Sequence, residues 1–191
     1  QLRGLGGERV RTQVGVLPLF GACPARLDPP LVYLLPQTSG ALRLNLGSDG
    51  AEAGPAAMGG RIQLRPDWEP PADWTGSLAG DASFGFASDG LRSRLGAGAA
   101  TVMGGFQGRV AVDLGRGGDY RSGGGLTVPG KHEHVGASAS LAYRIKADQR
   151  FFVSLAHVRE SDVDHPALPM NNDLTDFWMA HMGYRLEGGV V

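Results

Sequence analysis

One thiol, Cys23, heads a short inventory of side chains able to do chemistry. A single cysteine excludes an internal disulfide and a cysteine-paired zinc site, so Cys23 is either a small hydrophobe or a ligand. Near the other end, Met179 and His181 stand two residues apart in an alternating stretch, which turns both to one side of a strand. Such residues more often line a wall than bind a metal. His132, His134 and His157 have weaker claims. Asp162, Asp164 and Asp173 could form an acidic pair, although charges in a loop are usually solvated. No GxSxG, P-loop or HExxH pattern occurs, and GLGG at residues 4–7 lacks the spacing of a dinucleotide fingerprint. The sequence therefore predicts neither an enzyme nor a resident cofactor.

Strands must position these residues. In 73–86, Trp74, Gly76, Leu78, Gly80, Ala82, Phe84 and Phe86 fall on one side, and Asp73, Thr75, Ser77, Ala79, Asp81, Ser83 and Gly85 on the other. The same alternation runs through 91–103, 106–115, 135–146, 150–159 and 176–186. In the last of these, Trp178, Ala180, Met182, Tyr184 and Leu186 share the apolar side, while Phe177, Met179, His181 and Arg185 share the other. Aromatic residues at the strand ends suit transmembrane strands with aromatic girdles. The connections 103–105 and 146–149 are minimal, whereas 116–133 and 160–175 are long and polar; a brief ASDG at 87–90 breaks the series. Short turns alternating with long outer loops belong to a membrane barrel more than to a β-sandwich.

The totals permit this. Glycine is abundant, at 31 of 191 residues, and no run approaches the roughly 20 apolar residues of a membrane helix. A mean hydropathy of −0.12 is compatible with a barrel, whose lipid-facing and inward residues alternate. With 18 basic against 19 acidic residues there is no electrostatic footprint for nucleic acid. The beginning lacks a secretion signal, so the protein is expected either to be cytosolic or to have lost its start.

Residues 1–66 differ from the rest. Residues 14–20 are strand-like, and prolines 24, 29, 30 and 36 then forbid a regular helix or central strand, leaving turns with one helical turn near Val32. Residues 41–46 and 61–65 predict a strand pair at the end of a small α+β unit. Residues 67–72 read as a proline-rich linker before strands spanning 73–191.

RGLGGERV, an apolar run ending in PLFG, and LRLNLGSDGAEAGPAAMGGRIQLRP together resemble the plug domain of TonB-dependent outer-membrane receptors. Arg3, Gly4, Gly6, Gly7, Gly54, Pro55, Gly59 and Gly60 match the structural motifs of that plug, although the usual Asp-Gly before the turn is replaced by Gly15 to Pro18. The fold implied is mainly β: an α+β plug followed by antiparallel strands of a transmembrane barrel. Six strands cannot close a barrel wide enough for a plug, since plugged transporters use roughly 22. The expectation is a piece of a receptor, lacking the signal peptide, the TonB-contacting segment and most of the wall.

GACPARLDPPLVY resembles the plug apex loop of the copper-receptor branch, in which a cysteine and a methionine four residues later are soft copper ligands. Cys23 matches, and Leu27 stands in the methionine's place. HPALPMNNDLTDFW resembles a loop of the same family and brings in Met170, and an inward Met179 and His181 near Cys23 would add to a soft site. Thiolate and thioether select Cu(I), and an alkyl group removes a ligand; the alternative is that the CP and DPP elements merely shape the loop. The resemblance implies energised uptake of a metal or metal chelate across a Gram-negative outer membrane, copper favoured, with the TonB complex and membrane lipid as partners. A siderophore or cobalamin cargo is the alternative within the family. A soluble or secreted Gly-rich β-sheet binding protein is the alternative outside it.

Overall fold

The computed structural model describes residues 10–15, 17–20, 39–47, 59–66, 78–164 and 171–186. The chain divides into two compact units, Gln1–Asp67 and Trp68–Val191. Among the described residues every regular element is a strand, apart from a single 3-10 turn.

In the first unit, β1 (Val10–Val14), β2 (Leu17–Leu19), β3 (Ser39–Leu46) and β4 (Gly60–Pro66) form a mixed sheet in the order β2-β1-β4-β3. The strand expected over 14–20 is broken at Gly15, where the chain reverses so that Val14 faces Leu17. The Gly15 carbonyl accepts from Gln13 Nε2 at 2.9 Å and Gln63 Nε2 at 3.0 Å, and its N–H donates to Leu64 O at 2.8 Å. Satisfying the turn's own polar groups in this way favours the reversal over a continuous strand. β1 and β4 run parallel, Val10 beside Gly60 and Val14 beside Leu64. β3 and β4 form the expected antiparallel pair. Gly60 has φ 124, and a Cβ there would collide with the Asn45 carbonyl oxygen, so backbone approach dictates the second glycine of the GG pair. The helical turn expected near Val32, together with Arg3, Gly4, Gly6, Gly7, Gly54 and Pro55, lies outside the described residues.

The second unit is a six-stranded antiparallel sheet of β5 (Leu78–Ala87), β6 (Arg92–Met103), β7 (Phe106–Gly117), β10 (His132–Lys146), β11 (Gln149–Val163) and β12 (Asn172–Leu186). Its order follows the chain, β5-β6-β7-β10-β11-β12, and β8 (Tyr120–Arg121) and β9 (Thr127–Val128) make a separate hairpin within the long connection. Leu91, expected to begin a strand, sits instead in the 3-10 turn Asp89–Leu91 with φ 49. Residues 73–77 of the first expected strand lie outside the described residues. At the long-loop end the strands outrun their apolar alternation: β10 starts at His132 rather than 135, and β11 continues to Val163. Backbone pairing there goes on after the side chains stop alternating.

The two faces of this sheet are inverted relative to a soluble protein. Its buried hydrophobic residues are Ala111, Ala142, Ala156 and Val158, whereas Phe84 is 72%, Met182 75% and Trp178 60% exposed. Burying one large apolar side chain is worth about 1.5–3 kcal/mol, so this outward face leaves most of the available stabilisation to whatever surrounds it. Small and polar residues take the other side, where Gln107, Asp113 and Ser154 are buried. At the short-turn end, Phe106, Tyr143, Phe151 and Tyr184 stand side by side across four strands.

The described part of the apolar band on β5 runs from Leu78 to Phe86, and the register carries those two levels to Met182 and Leu174 on β12. On β12 the continuous band runs from Trp178 to Leu186.

Val110 lies midway in the band on β7, and Ser138 faces the opposite side on β10. In lipid vesicles, Val110→Arg is expected to lower the unfolding free energy by about 2–4 kcal/mol, and Ser138→Arg by less than about 0.5 kcal/mol. Urea titration followed by tryptophan fluorescence measures both. Equal costs would remove the assignment of the apolar face to hydrocarbon.

Candidate functional site

Period-two alternation gathers Asp81, Arg94, Arg109, Asp113, His134, Glu160, Met179 and His181 on the inward face, drawn from all six strands. Asp113 is the centre of their polar network and only 1% exposed. Arg94 grips its carboxylate, with Nε 3.2 Å from both oxygens and Nη2 2.8 Å from Oδ1. From the other side, His134 Nε2 lies 2.8 Å from the same oxygen, in ion-pair range but off the line of a hydrogen bond. Its Nδ1 is 3.7 Å from Glu160 Oε1. Four adjacent strands, β6, β7, β10 and β11, are thus cross-linked by one line of side chains.

A second pair skips a strand. Arg109 Nη2 on β7 donates to Asp81 Oδ1 on β5 at 3.2 Å, passing over β6 at Gly98. A Cβ at Gly98 would stand 2.9 Å from the carboxylate and 3.2 Å from the guanidinium, so only glycine leaves the bridge undisturbed.

At the long-loop end, backbone and side chains tie the connections together. Gly118 N–H donates to Gly90 O at 2.7 Å, and the Arg92 guanidinium lies 5.6 Å above the Tyr120 ring. Asp164 N–H donates to Lys131 O at 2.9 Å, and Lys131 Nζ is 3.2 Å from Asp162 Oδ2. The hydrogen bond and charge of Asp162 raise the Lys131 pKa. Any stability from this pair is therefore present below the ordinary lysine value and lost as pH rises past it. Asp162 and Asp164 are each engaged separately: Asp162 serves Lys131, and Asp164 accepts from Asn171 Nδ2 at 2.6 Å.

Met179 and His181 both face inward on β12, as the alternation predicts, opposite Ala156 and Ser154 of β11. The His181 ring meets Phe152 edge-on at 5.0 Å, and Ser154 Oγ donates to the His181 carbonyl at 3.5 Å. Cys23 and Met170 lie outside the described residues. Among the described residues no group of three or more histidine, cysteine, aspartate or glutamate side chains is disposed to hold a metal ion. His157 faces outward, stacked on Trp178 at 4.1 Å with Nε2 3.0 Å from Asp176 Oδ1. The Arg94–Asp113–His134–Glu160 line was not anticipated from sequence; its signal, opposite charges at inward positions of successive strands, becomes readable only once the register is known.

No protein-family model and no curated protein matches the sequence. Solved structures do share its fold. The backbone matches the copper transporter OprC with a TM-score of 0.86 at 22% identity, covering 95% of this chain and 27% of that one. The FrpB iron transporter from Neisseria meningitidis (F5-1 variant, apoprotein form) matches with a TM-score of 0.76 at 17% identity, covering 95% and 30%. The ferric enterobactin receptor PfeA matches with a TM-score of 0.67 at 14% identity, covering 98% and 32%. These are TonB-dependent receptors, and the mainly-β fold expected of such a receptor is the fold found. The chain spans about a quarter to a third of the length of these structures.

Removing the Asp113 carboxylate strands two basic partners at once, though Arg94, at 43% exposure, can turn to water. A double-mutant cycle of Arg94→Met with Asp113→Ala, read by urea unfolding in detergent, is expected to give a coupling of about 1–3 kcal/mol. A coupling near zero would mean that the line does not hold the strands together.

Proposed function

We propose that this chain is the plug region and first wall strands of a TonB-dependent outer-membrane receptor that takes up a metal ion or metal chelate. The observation that carries the reading is the inverted sheet: an apolar face edged by Phe106, Tyr143, Phe151 and Tyr184, backed by a polar inward face. Such a sheet suits a wall between hydrocarbon and an aqueous interior. Uptake would be driven from the inner membrane by the TonB complex, which pulls on the plug to open a path. No step requires enzyme chemistry.

Copper is the favoured cargo. Cys23 sits in a loop resembling the apex loop of copper receptors, and the fold is shared with a solved copper transporter over 95% of this chain. The Cys23 thiolate would be the principal soft ligand for Cu(I). Met170, Met179 and His181 are proposed as supplementary donors that compensate for the thioether lost at Leu27. An iron chelate is the second reading, supported by the fold shared with iron and ferric enterobactin receptors.

Titration of the chain in detergent with Cu(I), against a competing chelator, tests the assignment. Cys23→Ser is expected to weaken binding about tenfold or more, and Leu27→Met to strengthen it. Identical titrations for wild type and Cys23→Ser would leave the chelate reading in front. A chain that stays monodisperse without detergent would overturn the membrane reading altogether and favour a soluble β-sheet binding protein.

A further inference from the structure

We propose that the outward face carries a site for a phosphate-headed lipid, with an acyl groove on β5, β6, β7, β10 and β11 and Arg159 as the headgroup contact. The proposal rests on the reading of that face as lipid-facing and adds a specific occupant to it. The groove is a depression of about 430 Å³ among Leu78, Thr101, Gly108, Val110, Leu141 and Leu155. All six face outward in register, between the aromatic row at the short-turn end and the polar residues above.

Gly108 forms the floor, and nothing inside the protein requires a glycine there. It lacks a positive φ, and an added Cβ would meet nothing closer than Thr101 Cγ2 at 3.8 Å and Ser140 O at 3.9 Å, which is ordinary contact. The missing side chain thus serves no turn and no close approach within the sheet. What it does is keep the outward surface concave one outward position above the aromatic row at Phe106.

A charge lies beyond the upper end of the groove. Arg159 lies four residues beyond Leu155 on β11, about 13 Å along the strand, and it too faces outward, in register with Val135 and Asp176. Asp176 is taken by His157 Nε2 at 3.0 Å, and no ion pair to Arg159 forms among the described residues. An exposed, unengaged guanidinium at the top of an apolar face, beside Trp178 at interfacial height, complements a phosphate. A second copy of the chain fits less well, because pairing like faces would bring Arg159 into an apolar contact with no counter-charge.

The test uses the detergent-solubilised protein and intact-protein mass spectrometry, with dioleoylphosphatidylglycerol and dioleoylglycerol as probes that share acyl chains and differ in the phosphate. The wild type is expected to retain the phosphatidylglycerol about tenfold better than the diacylglycerol. Gly108→Leu, which fills the groove, should reduce retention of both. Arg159→Gln should erase the preference while leaving diacylglycerol retention unchanged. Retention by Gly108→Leu equal to wild type, or a preference that survives Arg159→Gln, overturns the proposal, as does assembly of wild type into oligomers that Gly108→Leu dissolves. A protein that fails to enter lipid vesicles at all counts instead against the membrane reading, so the two failures are distinguishable.

Discussion

The structure depends on backbone hydrogen bonding between neighbouring strands under an apolar face. A soluble sheet can let water satisfy a loose N–H or carbonyl; one facing hydrocarbon cannot, and each unpaired group costs several kcal/mol there. β10 pairs along most of its length on both sides, with β7 from His132 to Tyr143 and with β11 from Glu133 to Lys146. Uninterrupted pairing also forces side chains into strict alternation, so the placement of every inward group follows from the ladder. Local breaks are confined to the margins, as in the bulge between Arg144 and Lys146.

Alternation is also why so much of this fold was legible. Period two requires only local sequence, and all six wall strands and the inward direction of Met179 and His181 could be read from it. Relations that depend on distant residues could not. The parallel pairing of β1 with β4 joins residues 50 apart in sequence, and no local pattern marks it. The split at Gly15 likewise depends on Gln63 and Leu64 reaching across to the turn. At the other end of the sheet, Leu91 continued the apolar alternation of its neighbours, but the 3-10 turn took it out of the strand.

The candidate site was legible in a different proportion. Resemblance drew attention to Cys23 and Met170, and alternation to Met179 and His181, which fall within the described residues and share a face. The charged line centred on Asp113 escaped notice because Arg94, Asp113, His134 and Glu160 are spread over 67 positions of sequence. Arg94 and Asp113 are not even direct cross-strand partners: Arg94 lies opposite Gly115, and Asp113 opposite Gly96. Their meeting is diagonal, and a diagonal contact needs both the register and a long side chain lying flat across the sheet.

Those flat-lying side chains explain the small residues of the inward face. Arg109 reaches Asp81 because Gly98 lies between them, and the His132 ring occupies the space a Cβ on Gly117 would need. A wall with large residues inward would stand its charges up into the interior and expose them to water, where an ion pair is worth little. With glycine and alanine beneath, the charged groups are pressed onto the backbone, Asp113 is sealed from solvent, and the polar contacts cross-link strands that have little apolar core of their own. Most of the large apolar residues then face outward, with Phe152 and Phe177 as inward exceptions. The abundance of glycine and the inverted sheet are therefore two consequences of one arrangement: the inside is held by short, flat polar bridges, and the large apolar side chains stand outside.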